Sequence, residues 1–373
     1  MKRLHIRTHH LALAFVALAG IGCAADPARQ TDGGPLGGAG GGGSGGSGGV
    51  PPSPAGSLPI PPGPGDIPPP SGTPGNLKVL DWAGFKSAIT YTFDDAQPSQ
   101  VEHYAELQAT GVRHTFFVTS SSSGFDAAFT QAVKDGHEMG NHTVHHCHAD
   151  LSGCSNTGSA PVSVDAELDD CNSYINTHLG QGAVWTAASP FGDSGWDAPD
   201  MSRFFLNRGV ASGAVSPKDN TDPFNLPCHA AVEGETAAMF NAVIDDADAR
   251  NRWAIFLVHT IVPTSQNWYA PIDISVITDS VAHAKSLGDV WIDSMVNVGA
   301  YWRGQKLLSS ATPAATGGGQ TWTWKVPAHF PRGRALRITV DGGTPSQNGT
   351  PLTWDPHGYY EIALDAESLT LSP

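Results

Sequence analysis

The sequence is poor in charge and has no long apolar segment. Charged residues make up 15% of its 373 residues, and 20 Lys and Arg stand against 35 Asp and Glu, for a formal net charge of −15. So few basic residues disfavour electrostatic binding to nucleic acid or to an anionic lipid surface. The apolar run at residues 11–21 is too short to cross a bilayer. We therefore expect no nucleic-acid partner and no membrane-spanning helix.

The first 22 residues have the pattern of an export signal. They begin with Lys2, Arg3 and Arg7, continue with the apolar run, and end at Gly22, directly before Cys23. A cysteine at that position resembles the lipidated first residue of a bacterial lipoprotein. We therefore expect a secreted or cell-envelope protein, with two alternatives: simple secretion, or anchoring to the outer surface through a lipid on Cys23.

Cysteine is also scarce, with five in the chain. Beyond Cys23 there are four: Cys147, Cys154, Cys171 and Cys228. Pairing is expected in an oxidising compartment, and four cysteines allow three connectivities. We expect a disulfide within 147–154, or from either of these to one of the other two, to brace that loop, and we do not interpret these thiols as metal ligands.

The chain divides into segments of different composition. Residues 31–75 contain 17 Gly and 12 Pro, which leaves too few large apolar side chains for a core. We predict an export signal at 1–22, a disordered linker at 23–76, a main domain at 77–305 and a small β domain at 306–373.

The main domain alternates strand and helix signals for about 200 residues. Strands are predicted at 87–93, 183–188 and 253–258, with helices such as 162–178 and 200–206 between strands. This alternation predicts an α/β fold with a parallel sheet or barrel. Residues 306–373 instead contain short strands broken by Gly, Pro and Asn, which predicts a sandwich-like all-β domain.

Four polar clusters stand at the ends of predicted strands. Asp94 and Asp95 follow the first strand, and the other three clusters are 141–146, 189–193 and His259. The carboxyl ends of strands in a β/α barrel meet at one face, which is where catalytic residues lie. We therefore expect these clusters to form one cleft.

The residue types at these positions predict a metal site. Asp95, His142 and His145 supply one oxygen and two nitrogens, which leaves an open position for water, as a catalytic zinc site requires. Asp94, beside the metal, is placed to take a proton from that water, and His259 to return one to the leaving group.

Each cluster also has a plainer interpretation on its own. An Asp pair is commonly a turn or helix cap, a single histidine such as His259 is commonly structural, and 145–148 is typical of a simple transition-metal trap. The coincidence of all four clusters at strand ends favours the catalytic interpretation.

Several aromatic and acidic residues are weaker candidates. Trp322 and Trp324 share one strand face, and we favour burial in the β domain over sugar stacking. Trp196, Trp268 and Tyr269 lie in predicted loops at the cleft and are better candidates for sugar contact. Three aspartates are interpreted equally well as turn residues or site residues: Asp193, Asp219 and Asp222.

Three strings resemble the motifs of one enzyme family. They are Thr92-Phe93-Asp94-Asp95, His142-Thr143-Val144-His145 and Leu257-Val258-His259, which resemble the NodB-type polysaccharide deacetylases of carbohydrate esterase family four, over about 85–300. The resemblance implies a distorted (β/α) barrel, a divalent metal, Zn²⁺ or another such as Co²⁺, and acetyl hydrolysis. It also implies Asp94 as base, Asp95, His142 and His145 as metal ligands, His259 as acid, and the Phe191 N–H as an oxyanion donor.

The sequence departs from the family at two points. Ala188 stands where the family has an arginine that contacts the base, and no Asp-Trp pair lies between Phe191 and His259 to tune the catalytic histidine. Four residues are candidates to compensate for these losses: Arg203, Arg208, Asp219 and Asp222.

These observations lead to one main hypothesis and three alternatives. We expect a monomeric metal-dependent hydrolase that removes acetyl groups from a polysaccharide or oligosaccharide containing N-acetylglucosamine. The alternatives are an esterase acting on O-acetylated xylan, a carbohydrate-binding protein on a weakened deacetylase fold, and a non-haem iron oxygenase. The last is disfavoured, because its ligand triad is usual on an all-β jelly roll.

Overall fold

The computed structural model describes residues 57–122, 124–155 and 159–373. The predicted export signal, Cys23 and most of the predicted linker lie outside these residues. Within the described part, no helix combines the length and apolar character needed to cross a membrane.

A closed barrel of seven parallel strands forms the centre of the fold. After a short strand β1 (Lys78–Val79), each barrel strand pairs with the next and β8 pairs back with β2. The barrel strands are β2 (Ser87–Asp94), β3 (Thr115–Val118), β4 (Glu138–Asn141), β5 (Thr186–Ala188), β6 (Leu206–Ser212), β7 (Leu226–Ala230) and β8 (Trp253–Val258). All residues of β2 and β8 are buried, as expected for parallel strands covered on both faces. The predicted α/β barrel is confirmed.

Helices surround this barrel and connect its strands. They are α1 (Pro98–Glu102), α2 (Tyr104–Ala109), α3 (Asp126–Lys134), α4 (Val164–Thr177), α5 (Asp197–Met201), α6 (Ala237–Ala249), α7 (Ile274–Leu287) and α8 (Met295–Ser310). The ends of α7 show how the sequence sets these limits, because Asp273 accepts the N–H of Ser275 at its start and Gly288 adopts a φ of 78° at its end. The helix predicted at 200–206 is wrong, since α5 ends at Met201 and β6 begins at Leu206.

Three short strands follow the barrel. β9 (Ile261–Val262) and β10 (Ile272–Asp273) pair with each other, and β11 (Val290–Ile292) pairs with the beginning of β2. The β9–β10 pair closes the base of a loop beside the carboxyl ends of the barrel strands.

The C-terminal region consists of two antiparallel sheets. Its strands are β12 (Ala314–Thr316), β13 (Gly319–Thr323), β14 (Ala335–Thr339), β15 (Thr344–Gln347), β16 (Thr350–Pro351), β17 (Trp354–Asp355), β18 (Tyr359–Ala363) and β19 (Ser368–Ser372). The strand orders are β1-β14-β18-β17 and β12-β13-β19-β15-β16. Trp322 and Trp324 are only 7% and 9% exposed and belong to the core, so the predicted all-β region and its buried tryptophans are present.

Helix α8 joins this region to the amino-terminal end of the barrel. A Cβ on Gly299 would lie 2.1 Å from Leu206, at the start of β6, so no larger residue fits without movement there. Further along α8, a Cβ on Gly304 would lie 2.6 Å from Leu364 and 3.2 Å from Leu336 of the β region. The barrel interior and the β region therefore share one apolar core, and the β region lies at the opposite end from the predicted cleft.

Residues 57–76 differ from the disordered linker that we predicted for 23–76. The Ile67 N–H donates to Pro356 O at 2.9 Å, and Trp354 Nε1 donates to Ile67 O at 2.8 Å. The buried Arg337 donates to the carbonyl of Pro59 at 2.7 Å. Local composition predicts a free polyproline-like spacer. In the structure, carbonyl groups of residues 57–76 instead accept hydrogen bonds from residues of the C-terminal sheets.

Candidate metal centre and active site

The predicted polar residues meet at the carboxyl ends of the barrel strands. Asp94 ends β2, His142 directly follows β4, and His259 directly follows β8. Gln100 joins two of these ends, since its Nε2 donates to Asp94 O at 2.6 Å and lies 3.2 Å from His259 O. The expectation of one shared cleft is therefore met for these residues.

One carboxylate oxygen and two imidazole nitrogens form a compact cluster. Asp95 Oδ1 lies 3.4 Å from His142 Nε2 and 3.5 Å from His146 Nε2, and the three atoms lie within 4.8 Å of one another. The other oxygen of Asp95 accepts a hydrogen bond from Gln97 Nε2 at 3.2 Å, and Gln97 in turn accepts one from Thr260. Oδ1 is buried and has no hydrogen-bond partner in the described structure.

His145, the second histidine predicted to bind metal, does not face this cluster. Its Nδ1 lies 2.5 Å from Glu167 Oε1, and its Nε2 lies 2.8 Å from Ser159 Oγ. The backbone N–H groups of Val144 and His145 donate to the other Glu167 oxygen. Both ring nitrogens are thus engaged in holding the turn, and His146 takes the position that we predicted for His145.

Hydrogen bonds to Nδ1 orient both cluster imidazoles. His142 Nδ1 lies 2.8 Å from Ala188 O, which can only accept, so Nδ1 carries the proton and Nε2 presents its lone pair to Asp95. His146 Nδ1 lies 3.0 Å from Ser155 Oγ, and its Nε2 also faces Asp95. This arrangement is typical of histidine ligands, whose other ring nitrogen donates to a carbonyl, carboxylate or similar group.

The electrostatic environment favours the metal-binding forms of Asp95 and His146. Burial lowers the pKa of His146 to about 4, with the charge of His142 acting in the same direction, so its imidazole is neutral at neutral pH. Burial raises the pKa of Asp95, but the nearby histidines His142, His259 and His146 together hold it below its usual range. Burial also lowers the pKa of His142, but Asp94 and Asp95 raise it above its usual value, so a bound cation would compete with a proton there.

The geometry fits a small divalent cation. Two ligands about 2.1 Å from a tetrahedral ion are separated by about 3.4 Å, which matches the Asp95–histidine distances. A buried carboxylate oxygen without a hydrogen-bond donor also lacks the compensation that a cation would supply. One oxygen and two nitrogen ligands suit Zn²⁺ and Co²⁺.

Several residues of the site have left-handed backbone conformations. The φ angles are 75° at Asp95, 65° at Thr143, 51° at His146 and 58° at Phe191. Residues other than glycine rarely adopt such angles, and those that do concentrate at functional sites. The turn from Thr143 to His146 brings the His146 ring to 4.7 Å from that of His142.

Asp94 is held by an arginine from another strand. Arg208 of β6 is fully buried and donates through Nη2 to Asp94 Oδ2. The other oxygen, Asp94 Oδ1, is buried without a hydrogen-bond partner in the described structure. Arg208 is also the register partner of Ala188 on β5. Of the four residues considered as replacements for the arginine absent at Ala188, Arg208 makes this contact.

The other candidates have different roles. Arg203 pairs with Asp165 and Asp169 on α4. Asp219 and Asp222 accept backbone N–H groups in turns, as does Asp193. None of them takes the place of an acidic partner for His259.

His259 is buried at the cleft but lacks a partner for one ring nitrogen. Its Nδ1 has no hydrogen bond within the described residues, and burial lowers its pKa against the partial opposition of Asp94 and Asp95. The ring of Tyr269 meets it edge-on, with centroids 4.9 Å apart. The acidic partner of the catalytic histidine, which the sequence lacks between Phe191 and His259, is therefore not replaced by another described residue.

A disulfide braces the loop that carries His146. Cys147 and Cys154 are bonded, and the Ser155 N–H donates to His146 O at 3.2 Å. Cys171 and Cys228 are buried free thiols, and burial raises the pKa of Cys171 to about 12. Of the disulfide pairings left open by the sequence, the one within 147–154, with a sequence separation of 7, is formed.

The three aromatic residues predicted to contact sugar divide into two groups. Trp196 is fully buried and donates through Nε1 to Cys147 O, so it supports the histidine loop and cannot stack on a ligand. Trp268 and Tyr269 are 52% and 68% exposed. Phe191, 47% exposed, lies against His146 with ring centroids 4.5 Å apart.

Sequence reasoning missed three residues of the site. His146 could have been found from the four-residue spacing to His142, which competes with the three-residue spacing that we chose. Glu167 and Gln97 gave no such signal, because their contacts depend on the packing of α4 and of the β8–β9 connection.

One protein-family model matches the sequence of the first half of this barrel. The polysaccharide deacetylase family model matches residues 84–202, which contain Asp94, Asp95, His142 and His146. Residues 84–202 belong to the polysaccharide deacetylase family. Arg208 and His259 lie in the same barrel but beyond the matched segment.

Further similarities cover half of the chain or slightly more. A gellan lyase of Bacillus sp. is 27% identical over 209 residues, which are 50% of this chain and 8% of the lyase, so the chain spans a small part of that relative. A peptidoglycan deacetylase of Bacillus subtilis is 18% identical, covering 57% of this chain and 90% of that one with a TM-score of 0.37. A family 4 acetyl xylan esterase of Clostridium thermocellum is 16% identical over 57% and 89%, with a TM-score of 0.35.

Proposed function

We propose that this protein is a metal-dependent hydrolase that removes acetyl groups from a carbohydrate polymer. The observation that carries the proposal is the cluster of Asp95, His142 and His146 beside a second buried carboxylate, Asp94. Family membership supports deacetylation, whereas the metal and the polymer are part of the proposal.

Asp95, His142 and His146 would hold a divalent cation, with Zn²⁺ our first choice and Co²⁺ the alternative. Such an ion, when bound, lowers the pKa of water and polarises an acetyl carbonyl. The protein's own part is to place a base: Asp94 Oδ1 is a buried acceptor without a partner, and Arg208 fixes the other oxygen of the same carboxylate. Asp94 would accept the proton of the attacking water.

His259 and Phe191 would act on the leaving group and on the oxyanion, respectively. His259, at the end of β8, would donate a proton to the departing nitrogen or oxygen. Phe191 has a φ of 58° and its ring lies against His146. Its backbone N–H would donate to the developing oxyanion. We retain this role for Phe191 as a prediction.

For the substrate, we propose a glycan containing N-acetylglucosamine, with O-acetylated xylan as the alternative. The exposed aromatic side chains beside the cluster fit the apolar faces of pyranose rings, which both polymers possess. We also propose that the protein acts as a monomer outside the cytoplasm, secreted or lipid-anchored, and the Cys147–Cys154 disulfide supports an oxidising compartment.

The test is acetate release by zinc-loaded protein from acetylated chitooligosaccharides, peptidoglycan and acetylxylan. We expect release from one of these classes, its loss in Asp94→Asn, and its loss after chelation with recovery on adding zinc. Activity that survived complete chelation would contradict the metal-dependent reaction. Release confined to acetylxylan would replace the N-acetyl assignment by the esterase alternative.

One observation favours a second candidate, a carbohydrate-binding protein with little catalytic activity. His259 Nδ1 is buried without a partner, and a histidine without such a partner is poorly oriented for proton transfer. This candidate predicts that zinc-loaded protein binds an acetylated oligosaccharide in calorimetry but releases no acetate from it.

A further inference from the structure

The loop at residues 263–271 stands beside the candidate catalytic histidine. It leaves β9 and returns at β10, and the parallel pairing of these strands closes its base. The Ile272 N–H donates to Thr260 O at 3.0 Å, which ties the returning end to the residue after His259. We call residues 263–271 the aromatic loop.

Glu102, the last residue of α1, fastens the aromatic loop from the side. Its Oε2 accepts from Thr264 Oγ1 at 2.5 Å and from the Ser265 N–H at 3.2 Å, and its Oε1 accepts from Ser265 Oγ. The neighbouring His103 contacts Pro263 O through Nε2 at 2.7 Å. Contacts to both carboxylate oxygens hold the loop in a defined position against the barrel.

The held loop presents two large aromatic side chains to solvent. Trp268 and Tyr269 are more than half exposed, although burial of such large apolar surfaces is favourable. Single exposed aromatics are ordinary, but these two are adjacent, and Tyr269 touches His259. The loop sequence from Pro263 to Pro271 contains no charged residue.

A second exposed aromatic side chain contacts a different part of the site. Phe191 packs against His146 and stacks on His148, with centroids 4.5 Å and 4.3 Å away respectively. The ligand cluster is therefore next to one aromatic surface through His146, and the candidate acid is next to another through Tyr269. A substrate that contacts both surfaces must extend beyond the acetyl group.

We propose that the aromatic loop is a sugar-binding subsite. Trp268 and Tyr269 stack on a pyranose ring adjacent to the acetylated unit, on the side where the leaving group departs. This inference rests on the proposed function and extends it, because it assigns an acetylated unit linked to a further sugar ring, rather than a free monosaccharide, as the preferred substrate. An uncharged aromatic surface fits a neutral ring better than an anionic one.

The experiment compares substrates with and without a sugar chain. Kinetics are measured for Trp268→Ala, Tyr269→Ala and Glu102→Ala on acetylated chitohexaose and acetylated xylohexaose, and on 4-nitrophenyl acetate, which has no sugar ring. Met239→Ala, an exposed apolar residue of α6, is the matched control. We expect KM for the hexasaccharide to rise about tenfold in the aromatic variants, which corresponds to about 1.4 kcal/mol and lies within the range for one aromatic contact.

The KM for 4-nitrophenyl acetate should not rise in parallel in Trp268→Ala, and Glu102→Ala should give an intermediate KM for the hexasaccharide. Equal KM values for the hexasaccharide in Trp268→Ala, Tyr269→Ala and wild type would overturn the subsite.

Calorimetry with the same hexasaccharides separates this inference from the proposed function. If wild type releases no acetate but binds a hexasaccharide, and Trp268→Ala binds it more weakly, the subsite stands although the enzymatic proposal fails. Equal binding by wild type and Trp268→Ala overturns the subsite, and absence of binding to wild type overturns it as well.

Discussion

Arg208 and Ala188 are register partners on neighbouring strands, and the guanidinium of Arg208 reaches the carboxylate of Asp94. Side chains paired across adjacent strands point to the same face of a sheet, and the strands lie about 4.8 Å apart. An arginine placed at either position could therefore approach the same carboxylate. This relationship explains how the barrel keeps a guanidinium beside Asp94 although Ala188 occupies the position where the family has arginine.

Arg208→Ala should reduce kcat for acetate release by about 100-fold or more, because a misplaced base loses much of its contribution of about 10²–10⁴. Removing one partner of a buried ion pair should also cost about 3–5 kcal/mol of the free energy of unfolding. Acetate release and thermal unfolding are measured together with zinc content, which should change little, since Arg208 does not contact Asp95, His142 or His146 in the described structure.

The double variant Ala188→Arg/Arg208→Ala separates loss of the contact from loss of the fold. We expect it to recover part of the lost kcat, because the arginine approaches Asp94 from the adjacent strand. Arg208→Lys, which keeps the charge but not the planar donor group, should recover less. A folded double variant as inactive as Arg208→Ala would contradict the positioning role.

The sequence predicted the barrel, whereas for the contact to Asp94 it left four candidates open, of which Arg208 is the one that makes it. β2 and β8 are continuous β-rich runs with clear limits, and their predicted bounds agree with the structure to within one residue. By contrast, β7 was missed, because Leu226–Ala230 is short and contains Pro227. The pairing of Ala188 with Arg208 depends on strand register, which local sequence does not specify.

His146 and His145 should respond oppositely in metal binding. His146→Ala removes a ligand of the cluster, so bound zinc should fall well below one ion per chain after dialysis against a weak chelator. His145→Ala breaks contacts to Glu167 and Ser159 but leaves the three cluster atoms in place, so most of the zinc should remain. Metal content is measured by atomic spectroscopy. Zinc lost from His145→Ala and retained by His146→Ala would restore the ligand set predicted from the sequence.

Replacing the disulfide should weaken the metal site. In Cys147→Ser/Cys154→Ser the loop after His146 loses its cross-link, and Ser155, which orients His146 through Nδ1, loses its support. Partners that orient a ligand typically contribute about 10–100-fold to metal affinity, so we expect zinc affinity to fall by about tenfold. Competition with a coloured chelator measures the affinity. Reduction with a phosphine, which lacks the zinc-binding thiols of a dithiol reductant, should lower the zinc affinity of wild type but not of the variant. A variant that binds zinc as tightly as untreated wild type would contradict the supporting role of the disulfide.

The predicted linker shows another limit of sequence reasoning. Gly and Pro exclude a core made by residues 57–76 alone, and this remains true in the structure. What composition could not show is that Arg337 and Trp354, nearly 300 residues away, would donate hydrogen bonds to the carbonyls of this segment. A segment that cannot form its own core can still be ordered on one formed by other residues.

Asp200 of α5 should make the folded protein less stable as pH rises. It is buried, its Oδ1 has no hydrogen-bond partner in the described structure, and burial, reinforced by the charge of Asp197, raises its pKa well above the usual value. The folded state therefore binds this proton more tightly than the unfolded state. Its stabilising effect is complete below the unfolded pKa of about 4 and is lost as pH rises through the folded pKa.

Asp200→Asn removes the ionisation and should be more stable than wild type at neutral pH. The gain should approach zero near pH 3 and grow by about 1.4 kcal/mol for each pH unit up to the folded pKa, then stay constant. Thermal unfolding from pH 3 to pH 8 measures it, with Asp279→Asn on the exposed face of α7 as the control. A stability difference that is the same at every pH would show that the substitution acts through packing, because only an ionisable carboxyl couples this position to protons.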